Sequence, residues 1–181
     1  DSTFTDNTGG TEHITNVTFN TINNTSGNST TNGYEDFTAI TTNIERKQAY
    51  EISITLNTGG FQDHCYVFID WNQDYQFNNT TERYDLGNQT ADVATATLNI
   101  TVPEDAVLGK THMRVIIEYY ELGTSSNGDG ACDADHKSEW GETEDYTINI
   151  EENLATDNNL FTDLNIYSIP DDGKTTVDFK V

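Results

Sequence analysis

The sequence predicts an all-β fold, an antiparallel β-sandwich of jelly-roll-like type. Apolar and polar residues alternate repeatedly over short stretches, as expected of strands that bury one face. The segments between these stretches are rich in Asn, Asp, Ser, Thr and Gly, which favour turns and disfavour helix interiors. Short strands separated by turns at regular intervals are typical of β-sandwiches.

The alternation predicts the elements in order along the chain. Segment 1–12 is polar and is expected to be a loose lead-in, and 23–33 is expected to be a loop. Segment 65–71 is almost continuously apolar and is therefore expected to be a central strand that is buried on both faces. The other strands are expected over 14–22, 37–44, 50–56, 94–102, 113–119 and 146–150.

Two long polar segments, 72–89 and 123–139, interrupt the strand pattern and are expected to be loops. Long loops are uncommon in compact domains unless they have a function or bind an ion. The only hint of a helical turn is at 103–108. The sandwich is expected to span 13–150, followed by a polar linker over 151–159 and by a separate tail over 160–181.

The charge of the chain restricts its partners. Thirty-one acidic residues against eight basic ones give a formal net charge of -23. Such a field repels nucleic acids and anionic lipid surfaces, so neither nucleic acid nor a membrane is an expected partner. It is compatible with a solvated surface, with cation binding or with neutral ligands. Cys65 and Cys132 are the only cysteines, and the sequence leaves open whether they form a disulfide.

A cluster of oxygen-bearing residues after the central strand suggests a calcium site. Asp70, Asn72 and Asp74 occupy positions one, three and five of a turn, the carbonyl of Gln76 is at position seven, and Glu82 is at position thirteen. Calcium takes six to eight oxygen ligands, so Ca²⁺ is a candidate cofactor with these residues as ligands.

An acidic turn without an ion is the alternative interpretation of the same segment. In that case the carboxylates accept hydrogen bonds from backbone N–H groups. Tyr75 favours this alternative, because it stands where a glycine normally makes the sharp turn of a calcium loop.

Aromatic residues near the ends of the long loops suggest carbohydrate binding. The apolar C–H faces of sugars stack on flat aromatic rings, while flanking polar side chains bind the hydroxyl groups. Core packing is the alternative, and it is expected for Trp71 because this residue ends a buried run. The candidate carbohydrate-binding residues are Trp140, Tyr119, Tyr120, Asp133, Asp135, His136 and Glu139.

A second acidic cluster includes Glu142 and Glu144, which share one face of a strand. Paired carboxylates can serve as acid and base in glycoside hydrolysis, but they are as easily neutralised by Arg114 or by a cation. The motifs of serine hydrolases, phosphate-binding loops and zinc peptidases do not occur. The chain is therefore expected to be non-catalytic.

Three short blocks of sequence carry a family resemblance. Segment 141–145 reads Gly-Glu-Thr-Glu-Asp, 68–74 reads Phe-Ile-Asp-Trp-Asn-Gln-Asp, and 102–115 contains Val-Pro followed by Gly-Lys-Thr and Met-Arg-Val. In their order along the chain, 68–74, 102–115 and 141–145, these blocks resemble the GEVED domain, a module of secreted bacterial proteins. The resemblance implies an accessory role beside peptidases, adhesins or polysaccharide-degrading enzymes.

The tail resembles a different module. Segment 164–174 is similar to the start of the C-terminal sorting domain of the type IX secretion pathway. This resemblance implies export across an outer membrane.

The expected function is a secreted or cell-surface carbohydrate-binding module. It would be monomeric, tethered to a catalytic domain, and directed at a polysaccharide that is neutral or weakly charged. The alternative is a structural or adhesive calcium-binding spacer.

Overall fold

The computed structural model describes residues 2–4, 11–29, 32–120, 130–132, 136 and 138–153. Within these residues the chain forms strands and no helix, which confirms the predicted all-β class. The strands are β1 (His13–Phe19), β2 (Ile22–Thr25), β3 (Tyr34–Glu45), β4 (Ala49–Asn57), β5 (Asp63–Ile69), β6 (Arg83–Gln89), β7 (Val93–Thr101), β8 (Gly109–Tyr119) and β9 (Gly141–Glu151).

The strands form two sheets that pack as a sandwich. One sheet has four strands in the order β2-β1-β4-β7, and the other has five strands in the order β3-β9-β8-β5-β6. The pairs are antiparallel, as predicted, except that β3 runs parallel to β9. The predicted antiparallel β-sandwich is therefore confirmed, with one parallel pair at the β3 edge of the five-stranded sheet.

The main core lies between the two sheets and follows the alternation of the sequence. In β4, Ile52, Ile54 and Leu56 are fully buried, and the residues between them are partly exposed. Every residue of β5 is buried, which confirms the prediction that this strand is covered on both faces. Trp71 is 4% exposed and belongs to this core, as predicted.

A smaller apolar layer covers the outer face of the five-stranded sheet. Tyr66 and Phe68 of β5 and Ile116 of β8 lie on this face, and Phe4 and Ala131 pack over them. Phe4 is 1% exposed, so the lead-in is not loose where it is described. This layer explains why β5 has no polar face, since neither of its faces meets solvent.

Some boundaries differ from the prediction. The second half of the predicted 72–89 loop is strand β6, and β2 extends into the predicted 23–33 loop. Segment 103–108 contains turns and no helix. Strand β9 begins at Gly141 and therefore includes the acidic cluster.

The remaining sequence-based expectations concern cysteines and the chain ends. Cys65 and Cys132 do not form a disulfide; Cys65 is buried in the core and Cys132 is exposed. The predicted tail over 160–181 and most of the linker lie outside the described residues. No helix in the described part of the chain has the length and apolar character needed to span a membrane.

Candidate functional site

A cluster of three aromatic rings, two of them exposed, lies at the end of the sandwich where β5 begins and β8 ends. The ring of Tyr119 makes edge-to-face contacts with Trp140, at a centroid distance of 5.6 Å, and with Phe61, at 5.9 Å. Phe61 is 53% exposed and Trp140 is 41% exposed. We call these three residues the aromatic cluster.

Backbone hydrogen bonds hold the segments of the aromatic cluster together. The N–H of Tyr119 donates to the carbonyl of Trp140 at 3.1 Å, and the N–H of Tyr120 donates to the carbonyl of Gln62 at 2.7 Å. The turn that carries Phe61 is closed by a bond from its N–H to the carbonyl of Thr58. The backbones that carry the rings are therefore fixed relative to one another before any ligand binds.

A buried carboxylate fixes the segment that leads to Trp140. Glu118 is 2% exposed, and its Oε1 accepts a hydrogen bond from the N–H of Ser138 at 2.7 Å. The hydroxyl of Ser138 in turn accepts a bond from the N–H of Trp140 at 3.0 Å. These two hydrogen bonds fix the backbone at Trp140, which lies just before β9, and so hold its side chain at the surface.

Of the other predicted carbohydrate-binding residues, two lie beside the aromatic cluster, one packs elsewhere and two are outside the described residues. Glu139 is exposed beside Trp140, and Tyr120 is half-buried next to Tyr119. His136 stacks on Phe4 at 4.3 Å and contacts the carbonyl of Thr3, so it packs on the lead-in. Asp133 and Asp135 lie outside the described residues.

Sequence reasoning missed Phe61. It lies between a Gly-Gly turn and β5, outside every alternating stretch, so no periodic signal marks it. Its place beside Tyr119 follows from the pairing of Asp63 with Tyr119 at the end of β5 and β8. The one available signal was a large apolar residue in a turn, where polar residues are the rule.

The predicted calcium loop, 70–82, lies at the other end of β5, which is about 20 Å away for a strand of this length. The carboxylate of Asp70 accepts hydrogen bonds from the N–H groups of Asp74, at 3.2 Å, and Tyr75, at 3.1 Å. Asn72 Oδ1 accepts a bond from the N–H of Asp74 at 3.0 Å. These bonds wrap the loop around its own oxygen atoms.

The buried side chain of Glu82 connects the two ends of the same loop by hydrogen bonds. It is 2% exposed, and its Oε1 accepts a bond from the N–H of Trp71 at 2.9 Å. Its Oε2 accepts a bond from the N–H of Asn78 at 2.8 Å. Both oxygens therefore have backbone partners, and these bonds account for the burial of the carboxylate without an ion.

Tyr75 adopts the backbone conformation that glycine normally provides. Its φ is +65°, and the φ of Gln73 is +56°. The Tyr75 side chain points into solvent and is 89% exposed, so the left-handed conformation meets no steric obstacle from packing. Tyrosine at this position thus does not prevent the sharp turn.

The oxygen donors of the loop suit calcium in type. Asp70, Asn72 and Asp74 provide side-chain oxygens and Gln76 provides a carbonyl, and hard cations such as calcium prefer these ligands. Within the described ranges, no group of three His, Cys, Asp or Glu residues is arranged to hold a metal ion. A cation here would need Asn72, the Gln76 carbonyl and water besides the two aspartates.

A pocket of about 470 Å³ adjoins this loop on the outer face of the five-stranded sheet. Its floor is the ion pair of Arg114 and Asp145, and the guanidinium of Arg114 lies 5.5 Å from the ring centroid of Phe77. The pocket has a size typical of small-ligand sites. Its lining residues are Asp70, Tyr75, Gln76, Phe77, His112, Arg114, Cys132 and Asp145.

Glu142 and Glu144 share the inner face of β9, as predicted, and both are fully buried. Glu142 accepts hydrogen bonds from the N–H groups of Ile14, at 2.6 Å, and Ser29, at 2.7 Å. Burial raises the pKa of Glu142 to about 8, against the lowering effect of these two bonds. Neither carboxylate pairs with Arg114, and their position inside the sandwich leaves no room for a glycosidic bond to reach them.

Comparison with known proteins gives one family match. The family model of the GEVED domain matches residues 64–149. This range contains the 70–82 loop, Arg114, Trp140 and the segment 141–145. No curated protein matches the chain.

Two solved structures are distantly similar. One is a family 123 glycoside hydrolase from Clostridium perfringens, with 13% identity, a TM-score of 0.37, and coverage of 64% of this chain and 24% of the hydrolase. The other is the sporulation control protein Spo0M from Bacillus subtilis, with 11% identity, a TM-score of 0.34, and coverage of 60% of this chain and 45% of Spo0M. The chain thus spans less than half of the length of either protein.

Proposed function

We propose, from the GEVED domain match over residues 64–149 and the aromatic cluster, that this chain is a non-catalytic carbohydrate-binding domain. The observation that carries the proposal is the aromatic cluster, in which exposed Phe61 and Trp140 flank half-buried Tyr119 on segments that backbone hydrogen bonds hold in place. Aromatic rings that contact one another at a surface often mark a binding site, and the C–H faces of sugars stack on such rings.

The charge of the protein narrows the ligand class. With a net charge of -23, sulfated and carboxylated polymers are repelled over long range, whereas neutral polymers are not. The favoured ligand is therefore a neutral or weakly charged polysaccharide. Glu139, exposed beside Trp140, supplies a carboxylate that accepts hydrogen bonds from sugar hydroxyls.

In its biological setting the domain would keep an attached enzyme close to its substrate. Binding to an insoluble or gelling polymer raises the effective concentration of a tethered catalytic domain. The GEVED match supports an accessory role in a secreted protein, and export by the type IX pathway is part of the same proposal.

Affinity gel electrophoresis against a panel of neutral and anionic polysaccharides tests the proposal. We expect retardation on at least one neutral polymer, and an affinity reduced at least about tenfold by Trp140→Ala or Phe61→Ala. Tyr75→Ala is the matched control, because it removes an aromatic ring that is more exposed but lies at the other end of β5. Unretarded migration on every polymer would refute carbohydrate binding.

A calcium-stabilised spacer is the second candidate. The wrapped geometry of the 70–82 loop, with Asp70, Asn72 and Asp74 around one turn, favours it. Ligand binding to the native state alone raises the melting temperature by mass action. A spacer would melt at a higher temperature in calcium than in chelator, would show a smaller difference in Asp70→Asn, and would be retained by no polysaccharide.

A further inference from the structure

A buried carboxylate without hydrogen-bond partners lies beneath the aromatic cluster. Asp63, the first residue of β5, is 0% exposed, and neither of its carboxylate oxygens has a hydrogen-bond partner among the described residues. Gln62, the preceding residue, likewise has a buried side-chain nitrogen without a partner in the same part of the chain. Most buried polar groups in native proteins are satisfied, so two adjacent exceptions mark this position.

The side chain of Asp63 points into the space between the sheets. It is on the same face of β5 as Cys65 and Val67, which belong to the main core. An ionised carboxylate in such surroundings is strongly unfavourable unless a positive charge or hydrogen-bond donors compensate for it. No arginine or lysine is paired with Asp63 in the described ranges.

A second carboxylate faces the same space from the other sheet. Glu12 immediately precedes β1, two residues before the buried Ile14, and is itself only 6% exposed. Its Oε2 accepts a hydrogen bond from the hydroxyl of Thr11 at 2.7 Å. His13, the residue after Glu12, pairs with Asn57 at the end of β4, and a Cβ built on Gly59 would lie 2.6 Å from the Cβ of Thr11. The start of β1 therefore packs against the turn that leads into Asp63, so both buried carboxylates lie at the same end of the sandwich.

We infer that Asp63 and Glu12 bind a divalent cation, which bridges the two sheets at the aromatic end of the sandwich. The cation would supply the positive charge that both buried carboxylates lack. No third His, Cys, Asp or Glu of the described residues completes a metal-binding group, so the remaining ligands are amide, carbonyl or water oxygens. An all-oxygen set of this kind suits calcium better than zinc or copper.

This site is separate from the 70–82 loop and does not depend on carbohydrate binding. The two places are at opposite ends of β5, about 20 Å apart for a strand of this length. A substitution in one should leave the cation affinity of the other unchanged, because distant sites are usually independent.

Calcium counting on three versions of the chain tests the inference. Each protein is stripped with chelator, dialysed against calcium, and analysed for bound calcium by mass spectrometry and for melting temperature. Asp70→Asn removes a ligand of the 70–82 loop, and we expect it to keep one bound calcium per chain. Asp63→Asn is expected to bind one calcium fewer than the unsubstituted chain.

Glu12→Gln provides the second variant if Asp63→Asn does not fold, and the same loss of one calcium is expected. The inference is overturned if the Asp70→Asn protein binds no calcium. It is equally overturned if Asp63→Asn and the unsubstituted chain bind the same number of calcium ions. Asp63→Asn could instead melt at a higher temperature than the unsubstituted chain, by the same amount in calcium and in chelator. That result would identify Asp63 as a protonated acid and would also refute the site.

Discussion

Arg114 and Asp145 form a two-point ion pair across β8 and β9. Nε of Arg114 donates to Oδ1 of Asp145 at 2.7 Å, and Nη2 donates to Oδ2 at 2.7 Å. The two residues are direct cross-strand partners, and their side chains are only 12% and 10% exposed. The pair joins two of the sequence blocks that carry the family resemblance, and it forms the floor of the pocket beside the 70–82 loop.

Arg114→Ala should destabilise the domain by about 3 kcal/mol, because it leaves the buried carboxylate of Asp145 without its counter-charge. Arg114→Lys should lose less stability, since lysine keeps the charge but not the two-point geometry. Urea unfolding followed by circular dichroism measures both. Lys47→Ala is the control: its pair with Glu104 is exposed, so the free energy of unfolding should hardly change.

Gly141 allows the loop before β9 to pass close to β8. Its φ is +152°, and a Cβ built there would lie 2.3 Å from the carbonyl oxygen of Ile117 and 2.7 Å from the ring of Phe4. Gly141→Ala should therefore cost about 3 kcal/mol through backbone strain and overpacking. A Cβ at Gly27 meets no atom within 4 Å, so Gly27→Ala should leave the melting temperature close to that of the unsubstituted chain.

Glu142 should make the domain less stable as the pH rises. Burial raises its pKa in the folded state to about 8, above its ordinary value of 4.5, which the unfolded chain approaches. Its contribution is fully present below pH 4.5 and is lost as the pH rises towards 8, by roughly 1 kcal/mol per pH unit.

Urea unfolding at several pH values between 5 and 8 measures this effect. Glu142→Gln should reduce the pH dependence, although it also weakens the bonds from Ile14 and Ser29 and lowers stability at every pH. Glu51→Gln, at an exposed position, is the control for the general effect of removing a carboxylate. An unchanged pH dependence in Glu142→Gln would show that this carboxyl group is not the one that titrates.

The sequence predicts the strands wherever one face is buried, because burial imposes the alternation. β4 and β7 follow this rule almost residue by residue. β6 does not, because it is an edge strand in which no residue is fully buried and which bends at Gly87. The sequence of β6 alone is therefore indistinguishable from a polar loop, and its strand conformation depends on pairing with β5.

The candidate site is only partly predictable for a related reason. Tyr119 ends β8 and Trp140 immediately precedes β9. Since these two strands pair with each other, the proximity of the two residues follows from the strand pattern. Phe61 lies in a third segment, the turn before β5. Nothing in the sequence pattern indicates that this turn contacts Tyr119 or Trp140. The acidic segment 141–145 divides between two faces: Glu142 and Glu144 point into the core, and Asp145 meets Arg114 outside it.

Quenching of Trp140 fluorescence by acrylamide tests the central claim most directly. Trp71 is 4% exposed and gives a shielded background, whereas Trp140 is 41% exposed and provides most of the quenchable emission. A saturating oligosaccharide from a polymer that retains the domain should cover the ring of Trp140 and reduce quenching by at least about half. Undiminished quenching in the presence of an oligosaccharide that binds would contradict the assignment of the aromatic cluster as the sugar-binding surface.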